Sequence, residues 1–572
     1  MKKIVLIVAS ILPITQYFGQ ATSLVQLDVE PKMKVTVSKD VPSIEFTAPN
    51  RETLRAEDAL RDRQGQFYRI GVAHFTNLTT ENSGHWTSLA NGMKVWQLIL
   101  RSKDAEALSF TFSQFALSSG AQFWMENKNL AYSTAMFNQS CVLEDGQFGV
   151  DNVWGDEIVL NLLQPQNEKQ SEIAIYRVFH DYRSTGTPYP QLKFNNFLGS
   201  EVCEVNANCT PVGDTWTDEN RGVAMINVKE GANQGYCTGS LINNLANDCK
   251  PYFLTANHCG LASSAADFAL WRFYFRFEAA ACTNPTTVGS GATSILAKNI
   301  LGCLKISSTV DGGNTSSDFL LVKLGSATNE ATVSASLRSA SFSAYWNGWD
   351  AAATATAGGA GIHHPAGDIK KISTYTGTPV QAGWNNVSYT SHWRFSWSSN
   401  PNGWGVTEGG SSGSPMFNST GKIVGTLTGG GSFCTAQSSQ DYYGKFSWHW
   451  SNAQNGSTNA RKLQPWLDPL NTGITSQAGS YNPCNAANLS ESIFNSILIY
   501  PNPASTEFTV DLTGETGLFT LELIDFSGKI LSYQTAEGNT LSKVNVDKFA
   551  NGIYNLRITS NEGVAVKQVI VK

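Results

Sequence analysis

The distribution of cysteine constrains this chain more than any other feature. Eight of its ten cysteines fall between Cys203 and Cys434, with Cys141 and Cys484 outside that stretch, and none forms a CxxC pair. In a reducing compartment so many cysteines outside metal motifs have little use, so disulfides and export are expected. Ten cysteines allow roughly 10³ complete pairings, and their spacing does not choose among them. The N-terminus points the same way. Met1-Lys2-Lys3 precedes an apolar run from Ile4 to Ile14, with Gly19 before a cleavage point, which reads as a secretory signal over residues 1–19. The run is shorter than the ~20 apolar residues of a membrane helix, and no other segment qualifies as a span.

At 572 residues the chain exceeds one hydrophobic core, and three or four domains are expected. With 15% charged residues, 11% aromatics, 50 glycines and no helical repeat, the composition favours an all-β, turn-rich architecture over disorder or helix bundles. Short apolar strands such as those within 157–162 and 173–178 make residues 20–193 a β-rich region, ending in the loop-like stretch from Ser184 to Pro190. The cysteine-rich residues 194–480 read as a β-barrel domain, 481–496 as a linker and 497–572 as a small separate β domain. A net charge of −6 and the lack of a basic cluster among aromatics give nucleic acid no electrostatic support.

Three short segments carry chemistry. Phe253-Leu254-Thr255-Ala256-Asn257-His258-Cys259 sets a histidine at the end of an apolar strand, where a general base can be held firmly. Ser317-Asp318-Phe319-Leu320 puts an acid at the start of another, suited to accept a hydrogen bond from the second imidazole nitrogen. Glu408-Gly409-Gly410-Ser411-Ser412-Gly413-Ser414-Pro415 surrounds Ser412 with small residues, so that the amides of Gly410 and Ser412 can approach an oxyanion. The order His258, Asp318, Ser412 is that of the chymotrypsin arrangement. Spacings of 60 and 94 residues allow His258 and Asp318 to sit in a first barrel and Ser412 in a second, with the site between them.

Over residues 199–470 the text resembles the bacterial lysyl endopeptidases, secreted serine proteases of trypsin fold. The resemblance rests on Cys237-Thr238-Gly239-Ser240-Leu241-Ile242, Ser317-Asp318-Phe319, Gly348-Trp349-Asp350, Ile362-His363-His364-Pro365, Val406 through Pro415 and Trp466-Leu467-Asp468-Pro469. It implies a chymotrypsin-like double barrel, the same His258, Asp318 and Ser412, and cleavage after lysine. Asp441, before Tyr442-Tyr443-Gly444, is similar to the family's pocket acid that receives the lysine. A desolvated carboxylate would attract a cation and reject apolar side chains. The trypsin pocket position, six before Ser412, holds Val406, and Glu408 is the other nearby acid. Trp384 resembles the family's tryptophan beside the catalytic histidine, whereas Thr428 stands where its histidine would be. Ser411 replaces the aspartate with which trypsin-type zymogens pair a new N-terminus. Residues 20–193 are therefore expected to be a propeptide, cut at Lys193–Phe194.

The same resemblance implies bridges Cys203–Cys434, Cys209–Cys282 and Cys237–Cys259; the additional Cys249 and Cys303 are expected to pair with each other, and Cys141 and Cys484 have no assigned partner. Residues 497–572, with Tyr500-Pro501-Asn502-Pro503 and Gly552-Ile553-Tyr554-Asn555-Leu556, resemble a type IX secretion C-terminal sorting domain. That implies type IX machinery as a partner and passage through the periplasm of a Gram-negative host. No cofactor or metal is expected: the adjacent His363 and His364 point to opposite faces of a strand, and Asp311-Gly312-Gly313-Asn314 is too short for a calcium loop. Two alternatives remain at this stage, a protease accepting arginine as well, and a non-catalytic exported binding protein on the same fold.

Overall fold

The computed structural model describes residues 35–63, 66–128, 133–142, 146–183, 199–284, 298–484, 497–525, 529–560 and 563–572. The signal at 1–19, the Lys193–Phe194 bond and most of the 481–496 linker lie outside the described residues. The rest is an all-β molecule in two compact units, Met1–Asn482 and Pro483–Lys572.

In the first unit, alternation of apolar and polar residues gives strands whose apolar faces must be covered. A five-stranded sheet joins Ser43–Phe46, His85–Ser88, Met93–Ser102, Gln122–Asn127 and Glu157–Pro165. Seven of the nine residues of Glu157–Pro165 are buried, as befits a central strand covered on both faces. The second sheet has eleven strands and crosses the boundary expected near residue 193. Tyr68–Thr79 runs antiparallel to Asn233–Leu241, with Tyr68 opposite Tyr236 and Gly71 opposite Gln234. Beyond it lie Glu172–Asp181, Ala107–Ala116 and Phe148–Trp154. One hydrophobic core accordingly mixes Phe110, Phe112, Phe115 and Phe148 with Met225, Tyr236, Tyr274 and Leu301.

Charge is buried along the same junction. Asp151 accepts hydrogen bonds from Lys229 Nζ at 2.9 Å, Arg272 Nε at 3.1 Å and the Tyr274 hydroxyl at 3.0 Å. Burial alone would raise this carboxyl, but Lys229 and Arg272 outweigh it and hold it below its usual range. Arg177 and Asp267 form a second buried pair at 2.7 Å.

The third sheet has nine strands, all between Gly348 and Gln477. It includes Gly359–His363, Lys371–Tyr375, Pro415–Asn418, Lys422–Gly430 and Gln440–Lys445. The disulfides Cys203–Cys434, Cys209–Cys282 and Cys237–Cys259 are formed. The expected Cys249–Cys303 bridge is not. Cys303 is a free thiol in an apolar core against the eleven-stranded sheet, where burial raises its pKa well above the ordinary value, whereas Cys249 is disulfide-bonded. Cys141 is likewise a free, buried thiol, and Cys484 is disulfide-bonded.

The unit Pro483–Lys572 contains a three-stranded sheet and a four-stranded sheet around Phe508, Val510, Phe519, Leu521, Leu556 and Val569. Strand Leu518–Ile524 alternates buried and more exposed residues, the pattern of a sheet with one covered face. Among the described residues no helix is long and apolar enough to cross a membrane.

Candidate active site

His258 lies in a single helical turn, Asn257–Cys259, directly after strand Tyr252–Thr255 of the eleven-stranded sheet. The Cys237–Cys259 bridge anchors that turn to the neighbouring strand. Asp318 lies two residues before strand Leu320–Leu324, which pairs with Tyr252–Thr255, so sheet register carries the two residues together. A φ of +58° at Asp318, a conformation that aspartate tolerates better than most residues, turns its side chain toward the histidine. Its carboxylate accepts from both the main chain and the ring: Oδ1 from the His258 amide at 3.0 Å, Oδ2 from Nδ1 at 2.7 Å. This leaves Nε2 without a hydrogen-bond partner. The loop from Asp311 is folded on itself, its carboxylate accepting from the amides of Gly313 and Thr315.

Ser412 comes from the nine-stranded sheet, in the loop before Pro415–Asn418. Its carbonyl accepts from the Thr238 amide at 2.8 Å, a bond between the two halves of the site. Gly410 has φ +97°, and a Cβ there would meet the His364 carbonyl at 2.8 Å and the Gly367 amide at 2.9 Å. Only glycine fits this turn. His258 and Ser412 are 7% and 8% exposed, and Ser412 lines a cavity of about 550 Å³.

Ser412, Trp384, Thr428, Gly430, Thr407, Ser432 and Glu408 line that cavity. Asp441 does not. It is fully buried behind Thr407 and Ser432, whose hydroxyls donate to Oδ2 at 2.7 Å each, while Trp397 Nε1 donates at 2.6 Å. Burial holds this carboxyl above its usual range despite those donors. Glu408, at the cavity wall, is pushed up to about 7 by burial and accepts from the Glu201 amide at 2.9 Å.

Sequence reasoning missed two sets of residues. Thr428 is not alone: its hydroxyl meets His392 Nε2 at 2.9 Å, and the His392 ring lies 6.5 Å from that of Trp384. Burial lowers the His392 pKa to about 4, so it stands neutral. The second set comes from the N-terminal region. Tyr68, Asp62 and Arg183 line the same cavity. The Tyr68 ring is seated on Gly409, where a Cβ would come within 2.6 Å of it. Arg183 lies 3.8 Å over that ring and pairs with Asp62 at 2.8 Å. Their position depends on the strand pairing of Tyr68–Thr79, which local patterning does not report.

Among the described residues the His/Cys cluster closest to metal-site geometry is Cys237, His258 and Cys259, but its two sulfurs are bonded to each other.

Residues 197–444 match the family described as lysyl endopeptidase, C-terminal domain, and residues 498–572 match the secretion system C-terminal sorting domain. A lysyl endopeptidase of Pseudomonas aeruginosa PAO1 is 28% identical over 310 residues, covering 51% of this chain. The chain spans 59% of that relative's length. Solved structures with similarity include protease Anisep from Arthrobacter nicotinovorans, at 16% identity and a TM-score of 0.27, covering 40% of this chain and 90% of that one. A Glu endopeptidase structure, also 16% identical, has a TM-score of 0.24 and covers 42% and 90% respectively. The chain therefore joins a segment similar to the lysyl endopeptidase C-terminal domain to one similar to the secretion-system sorting domain.

Proposed function

We propose that this chain is the precursor of an exported serine endopeptidase that cuts on the carboxyl side of lysine. The observation that carries the reading is the two-point grip of Asp318 on His258, at 2.7 and 3.0 Å, with Nε2 left without a partner and the adjacent Cys259 Sγ 3.8 Å from the Ser412 carbonyl. In this mechanism Ser412 Oγ attacks the scissile carbonyl while His258 Nε2 takes its proton, and Asp318 fixes the tautomer and stabilises the imidazolium. The amides of Gly410 and Ser412 hold the oxyanion; losing one such donor costs about 3–4 kcal/mol. His258 returns the proton to the leaving amine. Water then repeats the sequence on the acyl-enzyme.

For the lysine, Ser432 and Thr407 line the cavity and donate their hydroxyl protons to Asp441. An ammonium group can donate to those hydroxyl oxygens and feel the carboxylate behind them. Trp384 and Thr428 complete the wall. Residues 20–193 act as the propeptide, whose Tyr68 and Arg183 keep the cavity covered until the chain is cut at Lys193–Phe194. N-terminal sequencing of the mature protein tests that cut, and a start elsewhere between 186 and 202 would overturn it. Residues 194–480 are the protease and 497–572 a sorting domain recognised by type IX machinery after passage through a Gram-negative periplasm, so that the product is secreted or surface-bound.

Mapping by mass spectrometry the bonds cut in a diverse peptide mixture, with Ser412→Ala as control, tests site and pocket together. Ser412-dependent cuts confined to the carboxyl side of lysine are expected. Cuts after arginine as well would keep the mechanism and discard the specificity.

A further inference from the structure

The loop that carries Ser412 is stitched to its surroundings by a histidine that the mechanism above does not use. His363 ends strand Gly359–His363 and is fully buried. Its Nδ1 lies 2.8 Å from the hydroxyl of Ser411, the residue before the nucleophile, and its Nε2 lies 3.1 Å from the Ser373 hydroxyl. The flanking bonds fix the direction of every proton. Ser373 gives its one hydroxyl proton to the Val406 carbonyl at 2.9 Å, so it accepts from Nε2–H. On the neutral ring Nδ1 then accepts from the Ser411 hydroxyl, which itself accepts from the Glu408 amide at 3.2 Å. The chain begins and ends on one segment, Val406 to Ser411, and is satisfied by neutral imidazole with the proton on Nε2. Burial lowers the His363 pKa to about 3, which keeps it in that form.

The turn after His363 braces the same loop through its main chain. The Ala366 amide donates to the Gly409 carbonyl at 2.6 Å. The His364 amide donates to the Thr238 hydroxyl at 3.0 Å, and that hydroxyl donates to the Gly410 carbonyl at 2.8 Å. None of these bonds uses the amides of Gly410 or Ser412, and fixing the Gly409 carbonyl on one side of its peptide plane turns the Gly410 N–H to the other.

We propose that His363 is a positioning residue that holds the oxyanion loop in shape through Ser411, where trypsin-type zymogens rely on an aspartate and a newly cut N-terminus. The inference rests on the protease reading above. It makes the loop complete in the uncut chain, so latency comes from cover over the cavity and not from a misshapen oxyanion site. It also accounts for the histidine pair: both ring nitrogens of His363 are committed to hydroxyls, and neither is available to a metal.

The test compares Ser411→Ala, His363→Gln and His363→Asn with the parent, each expressed as the full chain and processed in trans by the same protease. Asparagine places its amide near the position of Nδ1 and glutamine near that of Nε2. Ser411→Ala and His363→Gln are expected to lower kcat about tenfold or more, less than outright loss of an oxyanion donor. They should weaken a lysinal peptide aldehyde, whose adduct with Ser412 carries the oxyanion, by a similar factor. KM and inhibition by n-butylamine, which probes only the cation pocket, should stay within about twofold. His363→Asn should recover most of the loss. Retention of kcat and aldehyde affinity in both damaging variants would overturn the proposal, as would an equal loss of n-butylamine binding, which signals general damage. A parent protein that neither cleaves peptides nor takes a fluorophosphonate label on Ser412 would instead sink the protease reading, and this inference with it.

Discussion

The sheet that holds His258 and Asp318 and the sheet that holds Ser412 are built on different terms. Four strands of the eleven-stranded sheet come from residues 68–181, and two of its buried cations, Lys229 and Arg272, find their carboxylate on Asp151 of that region. All nine strands of the other sheet come from 348–477, and its buried acid, Asp441, is satisfied by Trp397, Thr407 and Ser432 of the same stretch. Shared strands with the N-terminal region are thus confined to the half that carries His258 and Asp318. The half that carries Ser412 and Asp441 draws all its strands from one stretch and meets that region through side chains, as where Tyr68 is seated on Gly409.

The difference can be broken at four points. Ser412→Ala should abolish peptide cleavage, by about 10⁴-fold or more, while leaving the precursor's denaturation midpoint unchanged, because the hydroxyl makes no structural bond. Peptide turnover and urea unfolding read the two arms. Asp151→Ala should do the reverse and strand Lys229 and Arg272 in the core, at a cost of about 3–5 kcal/mol in stability. Urea unfolding of the precursor checks it, and a loss under 1 kcal/mol would show that the junction is not what holds the first sheet together. Asp441→Asn should cost about 1–3 kcal/mol of stability, because one oxygen among buried donors becomes an NH2, and reduce kcat/KM for lysyl substrates about 100-fold, with fluorophosphonate labelling of Ser412 retained. Unchanged preference would remove Asp441 from the pocket. Smallest is Thr428→Val, which deletes the hydroxyl bonded to His392 and should cost about 0.5–1.5 kcal/mol, seen as a few-fold fall in kcat/KM.

Much of the site itself was legible from the residues. Gly410 and Gly413 around Ser412 advertise a turn that side chains would obstruct, and Asp318 at a strand start advertises a partner for His258. Local text could say this because those features depend on a few adjacent positions. Strand pairing between Tyr68–Thr79 and Asn233–Leu241 could not be read, since either strand is apolar enough to pair with many others. The same blindness misassigned Cys303, whose surroundings of Phe268, Trp271 and Leu324 make it a core side chain. His392 escaped because its partner, Thr428, is 36 residues away on another strand.

The Cys203–Cys434 bridge has a practical corollary. Together with the Glu201 carboxylate, which accepts from the Cys434 amide at 2.9 Å, it ties the first described residues after the 184–198 stretch to the cavity rim. Gly199 and Glu201 themselves line that cavity. If the chain is cut as proposed, any affinity tag, dye or surface linker attached at the new N-terminus is delivered to the mouth of the Ser412 cavity. For immobilised enzyme, attachment there is expected to throttle access by large polypeptides while sparing short chromogenic esters.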